Sequence, residues 1–196
     1  MNRDIRRWYQ GQGESLLRQV GLRHGDRVLD FGCGSGCYTI PAAKVVGPRG
    51  IVYALDKNRY LLNDLIEEAS SRGLRNVLPA HSLEDLKQIL GGNLLQGVLL
   101  YDVIHGFYFS ERKRKSLLTE VVALVREKGL VSIFPRHMST PEIDRTKNWL
   151  EALGFVLETE LEADLLHDER FSSGRIYTFR KVRKATRSVF TASSAQ

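Results

Sequence analysis

Residues 28–36 read VLDFGCGSG, and this stretch decides the fold. Three apolar residues around Asp30 are typical of a short buried strand that ends in an acid. Glycines then occupy alternate positions, so the backbone can turn sharply and approach a ligand without side-chain obstruction. From Tyr38 to Val46 the apolar pattern becomes helical, and Gly47-Pro48 ends it. Strand, glycine turn and helix in this order predict a nucleotide-type binding corner, with backbone N–H groups at the helix start facing the ligand.

The spacing of the glycines and the charge of Asp30 limit the kinds of ligand that this turn can bind. The dinucleotide fingerprint would need a third glycine at the position of Cys37, and no Gly-Lys-Ser/Thr sequence ends the turn as in a P-loop. Asp30 would repel a pyrophosphate, whereas S-adenosylmethionine carries an ammonium and a sulfonium and no phosphate. The pattern Asp30-x-Gly32-x-Gly34-x-Gly36 resembles the first motif of the class I S-adenosylmethionine-dependent methyltransferases. A glycine turn without a ligand and an NAD site are the alternatives.

The resemblance spans roughly residues 20–182 and implies roles for individual positions. The glycines would leave room for the methionine part of S-adenosylmethionine, and Asp30 would hold its ammonium directly or through water. The cofactor-binding residues predicted in this way are Asp30, Gly32, Cys33, Gly34, Gly36, Asp56, Lys57, Ser82, Leu83 and Asp102.

Asp56 follows a predicted second strand over residues 50–55 and lies 20 residues beyond Gly36. Open α/β sheets bind ligands at the carboxyl ends of their strands, and an acid there accepts hydrogen bonds from both ribose hydroxyls. In the resembled family the acid after the first motif has this function. Asp56 can alternatively cap the following helix, since it precedes Asn58.

A third strand is predicted over residues 76–80, at a sheet edge because Pro79 cannot donate to the ladder. In the family, the residues after this strand meet the adenine ring. His81 stands where the usual acid would be, so Ser82 and Leu83 are the candidates. The alternative is that Ser82 caps a short helix.

A near-continuous apolar run predicts a central parallel strand over residues 97–104, followed directly by His105. In the family the cofactor methyl and the acceptor meet near the end of this strand, so Asp102 and His105 are candidates for the reacting region. His105 is the candidate general base. Many methyltransferases need only alignment, in which case His105 is structural or contacts the substrate.

Two further segments carry candidate substrate contacts. The basic cluster 112–115 lies at the start of a predicted helix, where cations oppose the helix dipole, and we expect it to attract an anionic substrate. An exposed cluster without a partner is the alternative. The predicted substrate-contact residues are Arg112 in this cluster, and Arg136 and His137 after the fifth strand.

Composition and charge limit the class of protein and the kinds of partner that we expect. The chain has 196 residues, of which 42% are hydrophobic and 27% charged, as in one globular domain. The net charge is +6, but the first 169 residues carry −1, so the excess lies in the basic segment 170–187. We expect a solvated tail there, with nucleic-acid contact as the alternative. No membrane span or signal peptide is evident, and Cys33 and Cys37 lack a second ligand pair for zinc, so we expect a cytoplasmic protein with reduced thiols and no metal.

The predicted fold class is α/β: a doubly wound, mostly parallel seven-stranded sheet with an antiparallel edge strand and helices on both faces. The family implies the strand order 3-2-1-4-5-7-6, with the last two strands over residues 155–161 and 175–180. The predicted organisation is a single methyltransferase domain over residues 1–182, with an N-terminal helical cover over 1–21 and a basic, disordered tail over 183–196.

The methyl acceptor is the least determined feature. No Asn-Pro-Pro-aromatic motif follows the fourth strand, and no large recognition domain is inserted, so a small molecule is the first choice. An RNA or protein substrate using the basic segments 112–115 and 170–187 is the second. A non-catalytic cofactor-binding subunit that needs a partner chain is the third.

Overall fold

One sheet organises the computed structural model, which describes residues 3–182. The strands are β1 (Arg27–Phe31), β2 (Ile51–Leu55), β3 (Val77–Ala80), β4 (Leu95–Tyr101), β5 (Val125–Phe134), β6 (Phe155–His167) and β7 (Arg170–Lys181). The helices are α1 (Arg3–Arg7), α2 (Gly13–Val20), α3 (Thr39–Val46), α4 (Arg59–Ser71), α5 (Leu83–Leu90), α6 (Glu111–Ala123) and α7 (Thr140–Ala152), and a π-helical segment, Trp8–Gln12, joins α1 to α2.

The sheet has the order β3-β2-β1-β4-β5-β7-β6, which confirms the predicted topology and fold class. Strands β1 to β5 are parallel, while β7 pairs antiparallel with both β5 and β6. The antiparallel strand therefore lies one position in from the edge strand β6. The chain reverses its winding direction between β1 and β4, and this switch point opens a crevice at the carboxyl ends of both strands.

Helices cover the two faces with separate apolar layers. One layer joins α2, α3 and α4 to the sheet, and the other joins α5, α6 and α7 to it. Trp8 is fully buried in the first layer, where its indole N–H donates to the carbonyl oxygen of Cys37 at 2.7 Å and its ring meets Tyr38 edge to face. The N-terminal helices are therefore anchored in the core beside the glycine turn.

Two boundaries differ from the sequence-based expectation. Strand β4 ends at Tyr101 rather than at residue 104, because Asp102 adopts a positive φ of 53° and ends the ladder. Residues 162–173, which lie between the predicted strands over 155–161 and 175–180, continue both strands into a long hairpin. Its two-residue turn, Asp168-Glu169, has positive φ at both positions, as the twist of paired strands favours.

Within residues 3–182, none of the helices has the length and apolar character needed to cross a membrane. The tail predicted over residues 183–196 lies outside the described part of the chain.

Candidate functional site

The glycine turn after β1 adopts positive φ at all three glycines, with values of 74° at Gly32, 52° at Gly34 and 83° at Gly36. A side chain on Gly36 would overlap Leu65 of α4, so this glycine lets the turn pack against the helix. A Cβ on Gly34 would meet no atom within 4 Å, because this residue faces open space. Gly34 therefore leaves its surface accessible to a ligand.

Asp30 lies beneath this turn and is only 3% exposed. Its Oδ2 accepts a hydrogen bond from the Thr39 hydroxyl at 2.6 Å. Burial raises the pKa of Asp30 to about 6, although the hydrogen bond from Thr39 opposes the shift. A buried carboxylate with one protein partner favours a cationic group close by.

Asp56, which follows β2, connects this strand to the glycine turn through hydrogen bonds. Its Oδ2 accepts from the backbone N–H of Gly34 at 3.0 Å and its Oδ1 from that of Asn58 at 2.8 Å. The cap of α4 is Asn58, whose side chain accepts from the N–H groups of Tyr60 and Leu61, so the capping alternative for Asp56 is wrong. Asp56 instead stands at the strand end with oxygen lone pairs to spare.

A cleft of about 760 Å³ runs along the carboxyl ends of β1, β2 and β4. This volume suits a ligand of nucleoside size. Seven of the ten predicted cofactor residues line it: Gly32, Gly34, Asp56, Lys57, Ser82, Leu83 and Asp102. Asp30, Cys33 and Gly36 lie outside the lining; Cys33 is buried, and burial raises the pKa of its thiol.

Ser82 serves two purposes in this wall. Its hydroxyl oxygen accepts from the backbone N–H of Asp85 at 3.1 Å, which caps α5 as the alternative interpretation predicted. The same residue lines the cleft, and its own O–H remains available to donate.

Asp102 is surrounded by three imidazoles, and we call Asp102, His105, His137 and His167 the histidine cluster. Its Oδ1 lies 2.7 Å from Nδ1 of His137 and 3.8 Å from Nε2 of His105, and its Oδ2 lies 3.6 Å from Nδ1 of His167. His105 is 3% exposed, and burial lowers its pKa. Since Asp102 also lines the cleft, the cluster adjoins the predicted cofactor site.

His167 was missed from the sequence because residues 162–173 were interpreted as a connection. It reaches the cluster at the tip of the β6–β7 hairpin, which is held in place by Tyr38, whose hydroxyl donates to the carbonyl oxygen of Leu166 at 3.1 Å. The available signal was the alternation of apolar Leu161, Ala163 and Leu165 with acidic residues, which is typical of a continuing strand.

The basic cluster 112–115 does not act as one surface. Arg114 is buried and pairs with Glu142 of α7 at 2.7 Å, so it joins two helices. Lys113 lines the cleft, while Arg112 and Lys115 are exposed. Of the other predicted substrate contacts, Arg136 is exposed in the turn after β5, and His137 is in the histidine cluster.

Three basic residues of the segment 170–187 already have protein partners. Arg175 pairs with Glu162, and Arg180 with Glu158. The Lys181 ammonium donates to two backbone carbonyls, the nearer at 2.6 Å. These side chains are therefore committed to the protein. Residues 183–187 of this segment lie outside the described range.

Comparison with known proteins relates this chain to methyltransferases. A family model described as a methyltransferase domain matches residues 22–92. The magnesium protoporphyrin IX methyltransferase ChlM from Synechocystis PCC 6803, whose structure contains bound SAM, superposes with a TM-score of 0.65 at 20% identity, over 91% of this chain and 82% of ChlM. The matched segment and the shared fold together support a class I Rossmann-like S-adenosylmethionine-dependent methyltransferase.

The methyltransferase matches curated relatives over a limited segment. Aklanonic acid methyltransferase DauC from Streptomyces sp. (strain C5) is 45% identical over 53 residues, which are 27% of this chain and 24% of DauC. The matches to this and other curated methyltransferases span 24–30% of each relative's length. A putative rRNA methylase from Clostridium thermocellum shares the fold with a TM-score of 0.63 at 15% identity, over 88% of this chain and 97% of that one.

The family model covers only one side of the methyltransferase site. Residues 22–92 include the glycine turn, Asp56 and Ser82, and end before β4. Asp102 and the three histidines lie beyond this match. The cofactor of the family is S-adenosylmethionine, and the acceptor side has to be argued from this chain's own residues.

Proposed function

We propose that this methyltransferase transfers the methyl group of S-adenosylmethionine to a small molecule bound between the cleft and the histidine cluster. The observation that carries the proposal is the position of Asp102, which lines the cleft and contacts His137 at 2.7 Å. The proposed cofactor wall and the proposed acceptor side thus share one residue. An acceptor beside Asp102 would lie at the end of β4, where the family brings its two substrates together.

The residues around the cleft fit the cofactor. When bound, S-adenosylmethionine supplies an electrophilic methyl group on a sulfonium. The open surface of Gly34 accommodates the methionine part, with the Asp30 carboxylate below the turn favouring its ammonium. Asp56 accepts from the ribose hydroxyls with the lone pairs that its two backbone contacts leave free. Ser82 and Leu83 border the adenine.

Alignment supplies the catalysis in this proposal. A lone pair of the acceptor forms a bond to the methyl carbon while the carbon–sulfur bond breaks, and sulfur keeps the electron pair. Holding both partners in line can contribute several kcal/mol, on the order of 7–11 for a well-oriented pair. His105 and Asp102 shape the acceptor side of this arrangement, and the acceptor's proton leaves to solvent.

The charges favour a small acceptor over RNA. Lys113 is the member of the basic cluster 112–115 that lines the cleft, which suits an anionic group on the acceptor. Recognition of an RNA backbone relies on many unpaired cations along a surface. Arg114, Arg175 and Arg180 are instead in ion pairs with acids of this chain.

Labelled S-adenosylmethionine tests the proposal directly. The chain is incubated with cell extract, and label is measured separately in metabolites, RNA and protein. We expect label in metabolites, abolished by Asp56→Ala and retained in the matched control Asp64→Ala, whose side chain is exposed on α4. Label found in RNA would favour the second candidate, and cofactor binding without any transfer would favour a non-catalytic subunit.

Charge selectivity is tested with a second pair of variants. Lys113→Glu should raise KM for an anionic acceptor, because the reversed charge faces the cleft. Lys115→Glu, two positions along the same helix and exposed, should leave KM unchanged. Equal effects of the two substitutions would contradict the assignment of Lys113 to the acceptor side.

A further inference from the structure

Methyl transfer by alignment does not need three imidazoles around one carboxylate. His105 is almost completely buried and the Asp102 side chain is 18% exposed, whereas the His137 side chain is 40% exposed, so the histidine cluster extends from the core to the surface. Its members come from three separate segments: the loop after β4, the turn after β5 and the tip of the β6–β7 hairpin. Such convergence of polar groups indicates a binding site.

We propose that Asp102, His105 and His137 bind a divalent transition-metal ion, with His167 beside them as a fourth donor. One donor atom from each of the first three residues lies within 4.8 Å of the other two. This site does not depend on the proposed methyl transfer, since the metal would bind whether or not a methyl donor is present.

The distances in the cluster support metal ligation. Two donors bound at about 2.1 Å to one ion are separated by about 3.0 Å at a right angle and by about 3.4 Å at the tetrahedral angle. The contacts of Asp102 with His105 and His167, at 3.8 and 3.6 Å, exceed the range of hydrogen bonds. Shifts of a few tenths of an ångström bring both to the separations of metal ligands. The 2.7 Å contact with His137 opens slightly for the same purpose.

The tautomer of His105 changes in this scheme. Its Nδ1 accepts a long hydrogen bond from the backbone N–H of Phe107 at 3.3 Å, so in the metal-free protein Nε2 carries the proton and points towards Asp102. Ligation through Nε2 moves that proton to Nδ1 and breaks the contact with Phe107. The turn that contains Phe107 is exposed, with 80% of that residue accessible, and can adjust.

The donor set selects the class of metal. Imidazole nitrogens suit zinc, iron, cobalt, nickel and copper, whereas magnesium and calcium prefer oxygen ligands alone. With His167 bound, the four protein donors complete a tetrahedral set, and with His167 released the other three leave positions for a water or a substrate atom, as in catalytic sites. Because Asp102 also lines the cleft, these positions would lie on the acceptor side.

Metal titration of the full chain tests the site. The protein is treated with a chelator, dialysed, and titrated with Zn²⁺ by calorimetry, and Co²⁺ is added separately to record its visible absorption. We expect one ion per chain and a Co²⁺ spectrum that reports nitrogen and oxygen ligands. His137→Gln and Asp102→Asn should each weaken the affinity at least tenfold, whereas His24→Gln, which changes an exposed histidine remote from the cluster, should not.

The control variants separate loss of metal binding from loss of folding. Asn tolerates the positive φ of Asp102, so Asp102→Asn should preserve the backbone, and thermal unfolding of each variant checks this. Zn²⁺ binding that is absent, or equal in wild type and in all three variants, would overturn the metal site. Titration of S-adenosylmethionine into the metal-free protein tests the proposed function separately. If S-adenosylmethionine binds and Zn²⁺ does not, the metal site is wrong while the proposed methyl transfer is unaffected.

Discussion

The buried carboxylate of Asp30 predicts a pH-dependent stability that can be measured without knowing the acceptor. Its pKa in the folded protein is about 6, against 3.8 for the unfolded value, because burial disfavours the charged form. The folded state therefore binds more protons than the unfolded state between these values, so the contribution of this group to stability falls as pH rises through that window. About two pKa units correspond to about 3 kcal/mol of destabilisation above pH 6.

Asp30→Asn removes this charge while its amide oxygen can still accept from the Thr39 hydroxyl. We expect the free energy of unfolding of the variant, relative to that of wild type, to be about 2 kcal/mol higher at pH 7.5 than at pH 4, because part of the penalty is already present at pH 4. Urea unfolding of both proteins at the two pH values measures the difference. A relative stability that does not change with pH would refute the assignment of the penalty to Asp30.

The same ionisation should control cofactor binding. The ammonium of S-adenosylmethionine favours the charged carboxylate, so the affinity should fall towards tenfold per pH unit below about pH 6. Calorimetric titration of wild type and Asp30→Asn measures this, and the variant should show weaker binding with a flatter pH profile. If Asp30→Asn binds S-adenosylmethionine as tightly as wild type does at pH 7.5, Asp30 does not interact with the cofactor.

Four further substitutions have expected outcomes. Gly36→Ala should lower the free energy of unfolding by about 2–4 kcal/mol in urea unfolding, because its Cβ would overlap Leu65 and its φ is positive. Gly34→Ala should lower it by about 1 kcal/mol and should also weaken cofactor binding. A larger loss of stability in Gly34→Ala than in Gly36→Ala would contradict the separate roles of the two glycines. Arg114→Met should destabilise by about 2–4 kcal/mol in urea unfolding by breaking its buried ion pair with Glu142 of α7, which keeps its capping contacts with Ser139. Trp8→Ala should lower the unfolding free energy by about 3–5 kcal/mol, whereas a change below 1 kcal/mol would contradict its place in the core.

The glycine corner could be predicted because its signals are local, whereas the sheet order was implied by the resemblance to the family. Strand, turn and helix follow one another within residues 28–46, and each change of period or run of glycines is visible in the sequence. The position of Asp56 at the next strand end follows from the same winding. Pro79 correctly predicted an edge strand, since β3 begins the sheet order.

The histidine cluster could not be predicted as a unit because its members are distant in sequence. Asp102 meets His137 because β4 and β5 are neighbouring parallel strands, whereas it meets His167 only because the β6–β7 hairpin extends to the same site. The sequence supplied Asp102, His105 and His137 as separate candidates. It offered no glycine or asparagine in the turn Asp168-Glu169 to indicate that the strands continue that far.

The basic cluster 112–115 shows why a count of charges does not define a surface. Successive residues of an α-helix project about 100° apart, so four in a row point in different directions around the axis. In the folded chain one cation faces the cleft, one is buried in an ion pair, and two are exposed. Any preference of this site for an anionic acceptor therefore depends on Lys113 rather than on the cluster, and reversing the charge of Arg112 or Lys115 should alter solubility more than binding.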